Sequence, residues 1–399
     1  MDIFGIRRLS AHPVFTVDHT DGVTVVAETL VGHRGVAVVA LPHHVAVDIA
    51  NSINKTFHNG LLGCNATDQT AVDDRLTAVR SSLKQTTPLS VTRAISTAIA
   101  RAGANATGRE LAAHLREFAP FAGPGWHAPT PVFDAFGQGE VGGLVTFAIN
   151  PRPARGARRS ISQLLTAGRR LFTFLPRSLH SIGHVPVVSS TGGWHTPDIG
   201  VRDALDALVL ARHTAGIDEA DIRFGLRREP HIFFAPHLGV LQSGNNDQLV
   251  LDTGALGAAY GELARRYPLG MLEDPFRTDS WEQWRSGRQQ LPNTQFMADR
   301  AVSLSDTALV AAATSDAIHG VVVNMDLAPT LSDAVRFAVR AKGAGLDRLV
   351  AAATDSTDPV AVDVAVAIGA EYIRLGTTSR FEHVGQYNRL NELAVSLGL

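Results

Sequence analysis

The sequence predicts an α/β protein, a closed barrel of alternating strands and helices preceded by a smaller α+β domain. Three observations predict it. After Pro131, apolar runs of strand length alternate with helical stretches to the end of the chain. Before it, strands come first and helices follow, the order of a compact α+β unit. A Pro/Gly-rich run at 118–131, FAPFAGPGWHAPTP, separates the two patterns. The expected domains are 1–122 and 131–399.

Residues 3–42 read as strands, with β-branched alternation in TVDHTDGVTVVAETLVGHRGVAVVAL and turn signals at Asp21-Gly22 and Gly32 to Gly35. From His44 the period becomes helical, with Val45, Ile49, Ile53 and Phe57 four apart. Further helices are predicted at 68–83, 90–101 and 107–118. In the second part, strands are predicted at 131–136, 143–149, 184–189, 231–236, 269–272, 294–298, 320–324, 347–352 and 371–375. Helices are predicted between most of them, at 160–174, 201–215, 254–267, 280–290, 305–315, 331–342, 360–368 and 380–397. Single strands separated by helices argue for parallel pairing. Roughly eight such units argue for a (β/α)8 barrel over an open doubly wound sheet, since no GxGxxG turn follows the first strands.

Formal charge is −2 in 399 residues, which does not suggest a nucleic-acid partner. The single cysteine, Cys64, permits no intrachain disulfide and fits a reducing, cytoplasmic setting. The first residues carry no signal-type apolar core, and no apolar run approaches the ~18 residues of a membrane span.

The most informative stretch is PLGMLEDPF at 268–276. An apolar run ends on Glu273 and Asp274, and Pro275 stops the ladder. Two carboxylates at the tip of a buried strand need a cation or a hydrogen-bond network to meet them. In a (β/α)8 barrel that tip is where chemistry happens. The alternative is a strand ending in a solvated acidic turn. Among the 16 histidines, His114 and His213 on predicted helices read as ordinary surface or capping residues. The basic stretch 152–159 reads as a solvated approach to a helix.

YPLGMLEDPFRTDSWEQW, NTQFMADR and IRLGTTSRFEHVGQYNRLNELAVSLG resemble blocks of the enolase family, and DHTDGVTVVAE and SVTRAISTAIARAGA resemble its N-terminal half more weakly. The resemblance implies an enolase-type (β/α)8 barrel, its second strand antiparallel, behind an α+β lid domain. It also implies a homodimer, metal-held enolate chemistry and a lysine base.

Carried over position by position, the resemblance implies metal carboxylates at Glu273 and Asp299; the usual acidic neighbour of the latter is Arg300. The third ligand should end the strand before a long excursion. HIFFAPHLGV places His237 there, with Asp247 and Asp252 as rivals. Magnesium prefers oxygen ligands and imidazole suits zinc or manganese, so the expected cofactor is a divalent metal: Mg, or Mn or Zn because of His237; the alternative is a metal-free barrel mouth where His237 hydrogen-bonds Glu273. Asn324 stands where the family has its lysine base, and an amide cannot accept that proton. Arg374 replaces a second lysine, keeping a positive charge for an anion without serving as a base. Thr146 and Thr191 stand where the family has its acid-side glutamates. Asp355 lies in the strand that normally clamps phosphate, and His43 begins a shortened loop, ALPHHVA. His195, after Thr191-Gly192-Gly193, joins Arg374 and Asn324 as a catalytic candidate. Arg380 and Glu382 are retained and read as orienting the C-terminal helix, whose Tyr387 and Asn388 read as packing and capping against the barrel.

The expected function is that of a metal-assisted enzyme with altered chemistry. It acts on a small anionic carboxylate with phosphate or phosphonate, not on 2-phosphoglycerate. Carboxyphosphonoenolpyruvate synthase of phosphonate pathways is one enolase-like model. The alternative is a catalytically inactive relative used for binding or assembly.

Overall fold

A computed structural model describes residues 3–16, 20–42, 44–83, 87–120, 125–136, 144–153, 156–189, 191–196, 199–227, 232–235, 240–243, 253–278, 280–353 and 357–399. These fall into two compact units. The first comprises Met1–His127, Val323–Gly343 and Val350–Ala370, and the second Ala128–Val322, Ala344–Leu349 and Glu371–Leu399. The compact units therefore cut the chain differently from the sequence division at 122–131.

In the first unit, β1 (Ile6–Phe15), β2 (Asp21–Thr29) and β3 (Arg34–Ala40) form an antiparallel sheet, Phe15 facing Asp21 and Gly22 facing Ala40. The helical period after His44 becomes α1 (Ala46–Ser52), a π-helical turn at Ile53–Phe57 and α2 (His58–Leu61). α3 (Gln69–Ser81), α4 (Leu89–Ala106) and α5 (Leu111–Arg116) follow. Val23 and Val25 of β2 and the Ile95, Ala98, Ile99 and Ala102 face of α4 share one core, where small residues let helix and sheet approach closely.

α11 (Leu331–Gly343) belongs to the same unit, and its first amides are met by side chains of α3 and α4. Ser96 Oγ accepts from Leu331 N at 3.1 Å, and Asp73 Oδ2 accepts from Ser332 N at 3.0 Å. Asp73 Oδ1 in turn accepts from Gln69 Nε2. A buried carboxylate at a helix N-terminus answers both the orphan N–H groups and the dipole.

His114, read from the sequence as a surface or capping residue, is instead buried on α5, 1% exposed, with its ring edge-on to Phe118. Its Nε2 makes no hydrogen bond among the described residues. Burial, aided by the Arg109 charge, pushes its pKa down to about 4. The folded pKa is thus below the ordinary ~6.5 of the unfolded chain. The stability it contributes is full above that value and is lost as pH falls toward 4, up to roughly 3 kcal/mol. In urea titrations at pH 7 and pH 4.5, His114→Leu should lose less stability on acidification than the parent. An equal loss would clear His114.

The barrel strands are β4 (Thr130–Asp134), β5 (Leu144–Ile149), β8 (Ile222–Arg227), β11 (Leu269–Glu273), β12 (Gln295–Ala298), β13 (Gly320–Asn324), β14 (Asp347–Ala351) and β15 (Tyr372–Arg374). They close in the order β11-β12-β13-β14-β15-β4-β5-β8, with β5 antiparallel to both neighbours, as the resemblance implied. Between them run α6 (Ile161–Ser181), α7 (Val201–Thr214), α8 (Thr253–Arg266), α9 (Trp281–Gln290), α10 (Asp306–Thr314) and α12 (Val360–Ile368). α13 (Phe381–Ser396) ends the chain.

Two predicted strands are corrected. The run 184–189 gives only β6 (Val187–Val188), paired with β7 (Trp194–His195) in a small separate sheet. The run 231–236 gives β9 (Ile232–Ala235), a hairpin with β10 (Val240–Ser243) outside the barrel. The barrel strand in that region is β8, which the apolar pattern hides. In IRFGLR, Ile222, Phe224 and Leu226 are buried, while the alternate positions are Arg223, Gly225 and Arg227. Arg223 and Gly225 line an open cavity of about 390 Å³, together with Thr146, Met271, Gln295 and Tyr372. A Cβ on Gly225 would sit 2.3 Å from Thr146 Oγ1, so only glycine admits that neighbour.

Candidate functional site

Parallel strands bring their C-terminal residues to one rim of a barrel, and five such residues of the second unit carry charge. β4 ends on Asp134, β8 on Arg227, β11 on Glu273 and β15 on Arg374, while Asp299 directly follows β12. The register sets Arg227 opposite Glu273 on the adjacent strand.

Glu273 is the centre. Its Oε2 accepts a hydrogen bond from Arg374 Nη1, and its Oε1 lies 3.1 Å from Arg227 Nε. The same Arg227 guanidinium reaches Asp299 Oδ2 through Nη2 at 3.5 Å. The side chains are buried: Glu273 is 3% exposed, Asp299 0%, Arg374 7% and Arg227 13%. Unpaired charges at such burial would be costly, so the two guanidiniums are what make the carboxylates tolerable there.

Three carboxyls face two guanidiniums, and full ionisation would leave one negative charge in excess. Burial alone would raise Glu273, but the Arg374 and Arg227 charges and the hydrogen bonds from Arg374 and Asp299 hold it below the usual carboxylate range. Asp299 is pushed up to about 7 by burial and by the Glu273 charge, against Arg227. Asp134 is pushed up to about 6 by burial, against Arg374 and Arg227. Its buried Oδ1 makes no hydrogen bond among the described residues. Burial would loosen the Arg374 proton, but Glu273 and Asp134 hold it more firmly than usual.

Asp274, the second acid of the motif, has another task. Its Oδ1 accepts from Asp299 N at 3.0 Å and Ala301 N at 3.4 Å, and its Oδ2 accepts from Arg300 N at 2.8 Å. It holds the turn that presents Asp299.

Of the residues singled out in the sequence, Glu273, Asp299 and Arg374 come together, joined by Arg227 and Asp134, which sequence reading missed. The reading of His237 as the end of the third barrel strand rested on taking 231–236 for that strand. The tip of the actual strand is Arg227, and His237 itself lies outside the described residues. So do His43, Asp355, Asp247 and Asp252. A signal for Arg227 was present: alternating Phe224 and Leu226 ending on a charge just before an excursion, as LGMLE ends on Glu273.

Thr146 lies on antiparallel β5, paired with Asp134 and Gly225, and lines the same open cavity as Arg223 and Gly225. Thr191 shares a hydroxyl contact with Ser189 at 3.0 Å, and His195 lies on β7. Their loop is fastened at Gly192. This residue has φ 81°, and a Cβ there would collide with Arg380, Ser379 and Thr377; its carbonyl accepts from Ser379 Oγ at 2.5 Å. The loop bearing Thr191 and His195 is thereby tied to the segment following Arg374. Asn324 ends β13, is 4% exposed, and its Oδ1 accepts from Asp326 N at 2.9 Å. Arg380 pairs with Glu382 at the start of α13, and Tyr387 stacks on Phe133 and donates to Gly376 O, in keeping with positioning roles.

The whole chain has three lysines, Lys55, Lys84 and Lys342. Lys55 lies in the π-helical turn of the first unit and Lys342 in the last turn of α11. Lys84 lies outside the described residues. Neither Lys55 nor Lys342 belongs to a barrel strand. Nor do the described residues fit the divalent ion that the resemblance implies. No group of three His, Cys, Asp or Glu among them is arranged to hold a metal, and both candidate carboxylates are engaged by guanidiniums.

Residues 137–398 match the family model of the enolase C-terminal TIM barrel domain. The chain is 27% identical over 361 residues to an enolase of Methanococcoides burtonii, covering 87% of this chain and 80% of that protein. It is 27% identical over 360 residues to an enolase of Methanothrix thermoacetophila, covering 87% and 81%. No helix among the described residues is long and apolar enough to cross a membrane.

Proposed function

The chain belongs to the enolase family, and from that membership we propose that it binds a small carboxylate bearing phosphate or phosphonate and acts on it without dehydrating 2-phosphoglycerate. The observation that carries this is the make-up of the rim. Arg374 and Arg227 balance Glu273 and Asp299, β13 ends on the amide of Asn324, and no barrel strand bears a lysine. A family reaction that begins with removal of a carbon-bound proton lacks its usual base here.

In this reading Arg374 and Arg227 hold the anionic group of the ligand, in partial exchange for Glu273. Asn324 and Thr191 offer neutral hydrogen bonds, and His195 a proton. Glu273 and Asp299 keep the guanidiniums in place. His43 and Asp355 remain proposed ligand contacts. A chemistry needing charge neutralisation more than carbon-acid deprotonation suits such a rim, as in joining a phosphonate unit to an enolpyruvate acceptor. A cytoplasmic homodimer belongs to the same proposal.

A coupled assay with 2-phosphoglycerate should show phosphoenolpyruvate formation slowed by at least ~10² to 10⁴ relative to a lysine-bearing enolase. Turnover at the rate of such an enolase would refute the reading. A second reading, a catalytically silent relative, is favoured by the ion pairs that already engage Glu273 and Asp299. Thermal shift separates the two: stabilisation by phosphonoacetate supports a ligand site, and no response across phospho- and phosphonocarboxylates supports the silent form.

A further inference from the structure

We propose that Arg227 is a built-in cation standing where a relative of this family would hold its divalent ion, so that the rim works without metal. Three contacts carry the inference. Arg227 lies at the tip of the strand beside β11, in register with Glu273. Its guanidinium is 3.1 Å from Glu273 Oε1 and 3.5 Å from Asp299 Oδ2, the two carboxylates aligned with metal ligands. The other oxygen of Glu273 is taken by Arg374.

A magnesium ion bound to Glu273 and Asp299 would sit about 2.0–2.1 Å from each ligand oxygen. It would compete with Arg227 for the same carboxylates and stand within a few ångströms of a fixed positive charge. At the burial of this cluster that repulsion is poorly screened. A guanidinium is always charged, planar, and able to span two carboxylates at once, so one side chain answers both. Placing a cation at the tip of β8, where a third carboxylate would complete an oxygen cage, turns an ion-binding geometry into a self-neutralised one.

The metal half of this inference stands apart from the ligand class proposed above. The experiment is thermal unfolding in millimolar MgCl2, MnCl2 or EDTA, with isothermal titration of Mn²⁺ into the EDTA-stripped protein. For the parent chain the melting temperature should stay within about 1 °C across all three and no heat of Mn²⁺ binding should appear. Arg227→Asp adds a third carboxylate and removes the cation, and should gain a Mn²⁺-dependent rise of several degrees. If that variant does not fold, Arg227→Met frees the same two carboxylates and should show a smaller rise. A parent chain that is stabilised by Mn²⁺ and loses the effect on Glu273→Gln would overturn the inference. So would metal indifference in every variant that folds. Phosphonoacetate is then titrated in EDTA and in MgCl2, and equal stabilisation of the parent in both supports metal-free anion binding. Silence of phosphonoacetate counts against the ligand class alone, because the metal titration is read without it.

Discussion

Glu273→Ala is expected to lower the unfolding free energy by about 3–5 kcal/mol, seen as a large drop in the urea midpoint. The alanine removes one carboxylate and strands two guanidiniums. Arg374 and Arg227 are 7% and 13% exposed, and neither can lose its charge. Asp299 and Asp134 remain as partners, but Asp299 lies at 3.5 Å from Arg227. Glu273→Gln retains the volume and one acceptor oxygen and should fall between the parent and the alanine variant. A loss under about 1 kcal/mol for Glu273→Ala would mean that solvent already satisfies the arginines.

Asp274→Ala should cost about 2–4 kcal/mol, mainly through the backbone amides its carboxylate meets. Its carboxylate accepts the backbone amides of Asp299, Arg300 and Ala301, and it adopts a left-handed backbone with φ 47°. Alanine tolerates that conformation poorly and leaves three amides without their acceptor. Asp274→Asn keeps the backbone preference and the acceptor toward Asp299 and Ala301, but turns a donor toward Arg300 N. Its loss should be about half that of alanine. Equal losses in the two variants would place the effect in lost charge, not in amide satisfaction.

The barrel and its rim acids were legible in the sequence because apolar strand length and an abrupt polar stop are local signals. LGMLE announces both the buried strand and the charge at its tip, and Arg374 closes the short strand YIR in the same way. β8 was not legible as an apolar run, because its alternate positions serve the cavity and the ion pairs and so are Arg223, Gly225 and Arg227. That one omission put His237, and not Arg227, at the tip of the third barrel strand in the sequence reading. The roles of Glu273 and Asp274 could not be separated from the motif either, since both are acids at one tip. What divides them is which neighbour each meets, guanidiniums for the first and backbone amides for the second. His114 illustrates the same limit on a helix, where a histidine read as a surface or capping residue proved to be buried against Phe118.

At the centre stands a rim where Arg374 and Arg227 meet Glu273 and Asp299, with the proposal that an amide stands where the family has its base. The most direct measurement is proton exchange at C2 of 2-phosphoglycerate in D2O, followed by NMR with the parent chain and magnesium present. Exchange needs only a base that can take the carbon-bound hydrogen, whether or not later steps proceed. No deuterium incorporation above the buffer rate is expected. Incorporation on the timescale of enzyme turnover would contradict the account, by showing that some group at this rim still accepts that proton.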